Sequence, residues 1–154
     1  MNNQEIEIRR AKHEDIKDIV KIEKDTFPDP WDERGFIDAL YYCPSTFFVI
    51  KTKGKIAGFI CAGIENTGEE IYGHIMNFAT LLEYRKQGIG GKLIQRIEYE
   101  CLLIGATAVQ LEVRVSNNNA QRFYRKMGYS QVFIVGGYYT NGEDAIVMMK
   151  WFTY

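Results

Sequence analysis

Asn77-Phe-Ala-Thr-Leu-Leu-Glu-Tyr-Arg85-Lys-Gln-Gly88-Ile-Gly90-Gly91-Lys-Leu-Ile94 reads as a strand, then a glycine-rich bend, then the start of a helix. That order builds an anion site out of backbone. Gly88, Gly90 and Gly91 are expected to turn the chain through conformations closed to other residues, with no side chain between backbone and ligand. The helix that follows, with Leu93, Ile94, Ile97, Cys101 and Ile104 expected on one face, begins with N–H groups lacking intrahelical partners and with the positive end of its dipole. A pyrophosphate fits there, and Arg85, Lys86 and Lys92 add positive charge at the rim. A P-loop is excluded: Gly91-Lys92 is followed by Leu93, and Lys86 stands in the first glycine's place. A dinucleotide fingerprint fits poorly, since it wants a small residue where Leu93 stands and a βαβ unit near the start of a domain. A bare strand-to-helix turn needs one glycine, not three with a basic escort.

The chain's 154 residues suit one domain, residues 1–154, with a single sizeable core. Apolar residues make up 46% and charged residues 25%, an ordinary globular balance. A net charge of −1 argues against nucleic-acid binding. No apolar run reaches membrane-spanning length, and the opening Met-Asn-Asn-Gln-Glu-Ile-Glu is too polar for a signal peptide. Cys43, Cys61 and Cys101 are odd in number and widely spaced, which reads as reduced, mostly buried thiols in a cytoplasmic protein. With His13 and His74 the only histidines, no metal site is expected.

Alternation of Ile6 and Ile8 with charge predicts a first strand over 5–10. Ile16, Ile19 and Val20 mark a helix from about His13 to Thr26, ended by Pro28 and Pro30. Asp32 caps a second helix, with Phe36, Ile37, Leu40 and Tyr41 expected on its apolar side. Strands over 46–51 and 55–64 form a hairpin across Lys53-Gly54, and a strand over 71–81 feeds the glycine loop. After Gly105, a strand over 108–115 turns Val109, Leu111 and Val113 to one face and Gln110, Glu112 and Arg114 to the other. Ser116 and Asn117 to Asn119 cap a short helix that Gly128 closes. Strands over 129–135 and 144–152 flank a Gly136-Gly137-Tyr138-Tyr139 loop. The order β-α-α-β-β-β-α-β-α-β-β predicts an α+β fold, with about four helices flanking a mixed, mostly antiparallel sheet.

These segments resemble the GCN5-related N-acetyltransferase (GNAT) superfamily, and within it the RimI-like and archaeal Ard-type protein N-terminal acetyltransferases. The superfamily's Arg/Gln-x-x-Gly-x-Gly/Ala stands here as Arg85-Lys86-Gln87-Gly88-Ile89-Gly90. Leu111-Glu-Val-Arg-Val-Ser-Asn117, with Phe123-Tyr124 and Met127-Gly128-Tyr129, is similar to the Leu-Glu-Val-Arg-x-Ser-Asn block of the N-terminal acetyltransferases. Tyr138-Tyr139 … Gly142-Glu143-Asp144-Ala145 … Met148 resembles their ending, and Phe27-Pro-Asp-Pro30-Trp31 their first substrate loop. Gly136-Gly137 and Leu81-Leu82-Glu83 depart from the common pattern, in loop shape or substrate preference.

The resemblance implies direct transfer of an acetyl group from acetyl-CoA to an amine, through a tetrahedral intermediate. It assigns Arg85 to Gly91 to the pyrophosphate, and Phe78, Ala79 and Thr80 to the pantetheine arm, with a backbone N–H, that of Phe78, facing the thioester oxygen. An N-terminal α-amine titrates near ~8, so roughly a tenth is neutral at pH 7 and a modest base suffices. Glu112 is the first candidate base and His74 the second, its imidazole titrating in the useful range. Tyr124 is the candidate acid for the leaving thiolate, and Asn117 both a helix cap and a cofactor contact. Tyr138 and Tyr139 are expected to form one wall of a peptide groove and Phe27 and Trp31 the other. The expected substrates are protein N-termini, with ribosomal and nascent chains as candidates. Two rivals stay open: a lysine or small-amine acetyltransferase, and a non-catalytic acyl-CoA-binding regulatory module. Oligomeric state and any auxiliary subunit are left open by the residues.

Overall fold

The computed structural model describes residues 5–153. Among them the chain runs β1 (Ile6–Arg10), α1 (Ile16–Thr26), α2 (Glu33–Tyr42), β2 (Phe47–Thr52), β3 (Lys55–Asn66), β4 (Ile71–Thr80), α3 (Ile89–Ile104), β5 (Ala108–Arg114), α4 (Asn118–Lys126), β6 (Ser130–Val135) and β7 (Ala145–Trp151). This is the expected order. The strands form a 7-stranded sheet, β1-β2-β3-β4-β5-β7-β6. β4 and β5 pair in parallel, while β1–β2, β2–β3, β5–β7 and β6–β7 are antiparallel. By contacts the chain divides into two compact units.

Among the described residues, the first unit holds those up to Gly63 together with Met76–Glu100. Its core joins Ile16, Ile19 and Ile22 of α1 to Phe36 and Ala39 of α2, Phe47 and Val49 of β2, Phe59 and Cys61 of β3, and Ala79 of β4. The β2–β3 turn is a two-residue hairpin loop with both φ values positive, 53° at Lys53 and 72° at Gly54, the twist that suits a hairpin. The first helix begins later than expected. His13–Asp15 is a 3-10 turn because the Asp15 carboxylate accepts from the Lys12 N–H at 2.8 Å and pairs with Arg9, tightening the entry to α1. The Asp32 carboxylate accepts from the Gly35 N–H at 3.2 Å, as a cap should. The expected apolar face of α2 needs correction. Phe36 and Ala39 are buried, whereas Ile37 and Tyr41 are exposed, because only a stripe at helical spacing meets the core.

The second unit holds Ile64–Ile75 and the chain from Cys101 onward. β5 buries Val109, Leu111 and Val113 as its alternation predicts. Ile104, expected on the buried face of α3, is exposed because it falls in the last turn. There the Gly105 and Ala106 N–H groups fold back onto the carbonyls of Leu102 and Cys101. α4 ends in the same way: the Gly128 N–H donates to the Arg125 carbonyl at 3.0 Å and the Tyr129 N–H to that of Tyr124 at 3.0 Å. Gly73 on β4 lets α3 approach closely, since a Cβ there would stand 2.4 Å from the Cys101 sulfur. Gly73→Ala should therefore destabilise the protein by ~1–3 kcal/mol, the usual cost of overpacking. Adding Cys101→Ala should restore part of the loss in thermal melts, and a Gly73→Ala protein that melts like wild type would contradict this packing.

Candidate active site

Beyond Thr80 the chain makes a 3-10 turn at Leu82–Tyr84, the local answer to Leu81-Leu82-Glu83. It then passes through positive φ at Lys86 (65°) and Gly88 (79°). Gly90 and Gly91 correct the sequence reading: they lie in the first turn of α3 and are not among the positive-φ residues. Their N–H groups, rather than unusual dihedrals, are what they bring. The Lys92 N–H donates to the Gly88 carbonyl at 3.2 Å, which makes Gly88 the residue before the helix. The N–H groups of Ile89, Gly90 and Gly91 thereby lack intrahelical acceptors. A Cβ on Gly88 would meet nothing within 4 Å, so the loop is open at that residue. Ile89 is buried and anchors the loop, while Arg85, Lys86 and Lys92 are exposed. Gln87 donates to the Glu83 carbonyl at 3.0 Å and Arg85 to that of Thr80 at 3.5 Å, so these two side chains brace the loop. Open space, unpaired helical donors and basic side chains fit a pyrophosphate.

In the second unit, β4 and β5 bring His74 and Glu112 together. The parallel register sets His74 beside Gln110, and Glu112 follows two residues later on the same face of β5. His74 Nε2 lies 2.7 and 2.9 Å from the two Glu112 oxygens. The Tyr138 hydroxyl donates to Glu112 Oε1 at 3.1 Å, and Gln110 donates to Oε2 at 3.4 Å. Glu65 Oε1 is 3.9 Å from His74 Nδ1 on the ring's other side. The hydrogen bond to Glu112 raises the His74 pKa against the opposing effect of burial, with the Glu112 and Glu65 charges adding to it. Burial alone would raise the Glu112 carboxyl, but the hydrogen bond and charge of His74, with Tyr138 and Gln110, outweigh it and hold the pKa low. The two candidate bases are thus one hydrogen-bonded pair that titrates as a unit.

The pair gives a prediction with a definite sign. In Glu112→Gln the charge that raises His74 is gone while burial and the Glu65 charge remain, so its NMR titration should move to lower pH. An unmoved titration would contradict the coupling. Stability should follow. A raised His74 pKa contributes stability fully present below its unfolded value of ~6.5 and lost as pH rises through the folded value. A lowered Glu112 pKa contributes stability present above ~4.3 and lost as pH falls through the folded value. The melting-temperature advantage of wild type over His74→Phe should therefore be largest near ~5.5 and shrink toward alkaline pH.

Tyr124 lies on α4 with ring centroids 5.3 Å from Phe123 and 6.0 Å from Tyr129. Burial, with the Tyr139 phenol nearby, pushes its pKa well above that of an ordinary tyrosine. Asn117 caps α4 as expected, its side chain accepting from the Ala120 N–H at 3.1 Å. Gln121 is buried and donates to the Arg114 and Val115 carbonyls, fastening α4 to the end of β5.

Tyr138 and Tyr139 meet edge to face at 5.0 Å. Arg114 stacks 4.0 Å over the Tyr139 ring and donates to Glu143 at 3.0 Å. Glu143 in turn accepts from the Ser116 N–H at 2.8 Å, and Asp144 from the Gly137 N–H at 2.9 Å. Burial and the neighbouring Tyr138 push the Tyr139 phenol up to about 12 despite Arg114. The acidic pair of the closing motif therefore shapes the tyrosine loop. In the first unit, Phe27 and Trp31 are half-buried, with the Trp31 ring 5.2 Å from Phe36. The Trp31 N–H donates to the Glu23 carboxylate at 2.9 Å. Glu23, Asn77, Gln121 and the positioning roles of Arg114 and Glu143 were not read from the sequence.

Residues 16–129 match the profile of the Acetyltransferase (GNAT) family. An N-alpha-acetyltransferase of Sulfurisphaera tokodaii is 33% identical over 94% of this chain and 92% of its own. The crystal structure of Ard1 from Thermoplasma volcanium superposes with a TM-score of 0.91 at 25% identity, over 97% of this chain and 99% of that one. The ribosomal-protein-S18-alanine N-acetyltransferase of Escherichia coli does so with a TM-score of 0.83 at 27% identity, over 97% and 96%. The chain belongs to the GNAT acetyltransferase family.

Proposed function

We propose that this enzyme acetylates the free N-terminal α-amino group of proteins, as a single GNAT domain over residues 1–154, with the residues named below as its machinery. Acetyl-CoA supplies the acetyl group as an activated thioester. The loop from Arg85 to Gly91 holds its pyrophosphate through the N–H groups at the start of α3, and Phe78, Ala79 and Thr80 of β4 hold the arm. Asn117 adds a contact from the cap of α4.

The His74–Glu112 pair takes the proton that the attacking amine must lose. The observation that carries this reading is the 2.7 Å contact within that pair, bridged by Tyr138 to the loop proposed to cover the peptide. A histidine whose pKa two carboxylates raise becomes a base only above that raised pKa, so turnover should rise with pH, and near neutrality roughly a tenth of an α-amine titrating near ~8 is itself neutral. A lysine side chain near ~10.4 would be mostly protonated there. Tyr124, kept protonated by burial across that range, always has a proton to offer the departing thiolate. Phe27 and Trp31, and likewise Tyr138 and Tyr139, are the aromatic residues assigned to the first residues of the peptide. We place this work in the cytoplasm, where reduced thiols such as those of Cys43, Cys61 and Cys101 persist, with ribosomal and nascent chains among the substrates. No helix of the described residues is long and apolar enough to cross a membrane.

Release of coenzyme A thiol in the presence of peptides beginning Ala, Ser, Thr, Met-Leu or Met-Glu tests the proposal. At least one should support turnover, and the same peptide with an acetylated terminus should not. Turnover on a blocked, lysine-containing peptide would move the substrate to lysine. Cofactor binding with no turnover on any amine would leave a binding module.

A further inference from the structure

Glu23 is 2% exposed in the last turns of α1, among apolar neighbours. One of its oxygens, Oε2, accepts two hydrogen bonds: from the Trp31 backbone N–H at 2.9 Å and from the Asn77 side chain at 2.7 Å. Its main-chain carbonyl accepts from the Phe27 N–H at 3.0 Å. Both ends of the Phe27–Trp31 loop are thus fixed to one residue, and that residue is fixed to β4. Asn77 is itself 8% exposed and directly precedes Phe78, whose side chain points to the opposite face of the strand.

Oε1 of Glu23 is buried with no hydrogen-bond partner among the described residues. An ionised carboxylate in that position would be costly, and burial outweighs the two hydrogen bonds to push the pKa upward. As a contribution to stability alone, an apolar side chain would serve as well. What an apolar side chain lacks is the tie between loop and strand.

We propose that Glu23 is a positioning residue, which registers the Phe27–Trp31 acceptor loop against strand β4 and so sets the affinity for the peptide substrate. This rests on the reading of that loop as one wall of the peptide site. Glutamine keeps one oxygen that can accept the same two hydrogen bonds, although its amide nitrogen then takes the unpartnered position; alanine keeps neither.

The test measures peptide KM, kcat, acetyl-CoA affinity and amide hydrogen exchange over residues 27–32 in the full-length protein. Glu23→Gln, which keeps the accepting oxygen, should stay closer to wild type than Glu23→Ala in peptide KM and loop exchange. Glu23→Ala should raise peptide KM roughly tenfold or more, as expected for lost buried hydrogen bonds, and accelerate exchange in the loop. Its kcat and acetyl-CoA affinity should change by no more than about threefold. If Glu23→Ala does not fold, Asn77→Ala cuts only the tie to β4 and should move KM and exchange in the same direction. A folded Glu23→Ala or Asn77→Ala protein with wild-type peptide KM or wild-type loop exchange would overturn the proposal. So would a uniform fall of KM, kcat and acetyl-CoA affinity together with the melting temperature. If wild type acetylates none of the peptides, the functional reading fails, while loop exchange still decides whether the tie exists.

Discussion

Replacing Tyr124 by phenylalanine is expected to cut turnover by ~10²–10⁴-fold, the range of a lost general acid. The ring stays, so its contacts with Phe123 and Tyr129 survive and the melting temperature should hardly move. Burial sharpens the expectation. A phenol held above its ordinary pKa stays protonated at every working pH, yet has little thermodynamic drive to release its proton to a thiol near ~8.5. Its help must come as a hydrogen bond that strengthens while negative charge gathers on sulfur. The loss should therefore shrink with an acyl donor whose thiol is more acidic. Equal losses with both donors, or a melting temperature that falls with activity, would make Tyr124 a packing residue.

The second large effect belongs to the loop. Gly88→Glu should weaken acetyl-CoA binding roughly a hundredfold or more, because charge-assisted hydrogen bonds of ~1.5–3 kcal/mol each give way to repulsion. Two causes are combined in that variant. Gly88 has a φ of 79°, which strains any side chain, and a carboxylate would enter the anion site. Gly88→Ala separates them, since its Cβ meets nothing within 4 Å and only the dihedral cost remains. Calorimetry should show a small loss for alanine and a large one for glutamate. Equal, small losses would place the pyrophosphate elsewhere.

What was legible in the sequence is what is local. The glycine loop, the Asp32 and Asn117 caps, the Lys53-Gly54 turn and the Gly128 helix end all depend on residues within a few positions of one another, where residue type fixes backbone choice. Gly90 and Gly91 were misread because a cluster of glycines looks like a bend even when two of them are helical. The partnership of His74 and Glu112 spans 38 residues and exists only once β4 and β5 are set parallel in a particular register. The sequence offered them as rivals; the register makes them a pair. Glu23 and Asn77 are 54 residues apart, and nothing in a helical Ile-Glu-Lys-Asp-Thr run distinguishes the buried glutamate from the solvated charges beside it. Arg114 and Glu143 lay inside recognised motifs, but their work on the tyrosine loop depends on contacts across the second unit. The spacing of Phe36, Ile37 and Tyr41 suggested a wider apolar face than α2 buries, since a short helix covers only the stripe that meets the core.

The acceptor of the acetyl group is an α-amine. One measurement decides it. A peptide with a free N-terminal residue and an internal lysine, drawn from whichever sequence supports turnover, is incubated with the enzyme and acetyl-CoA, and the acetyl group is located by fragment-ion mass spectrometry. The account predicts that the added mass lies on the N-terminal residue and that the lysine stays unmodified. An acetyl group on the lysine with the terminus free would contradict it.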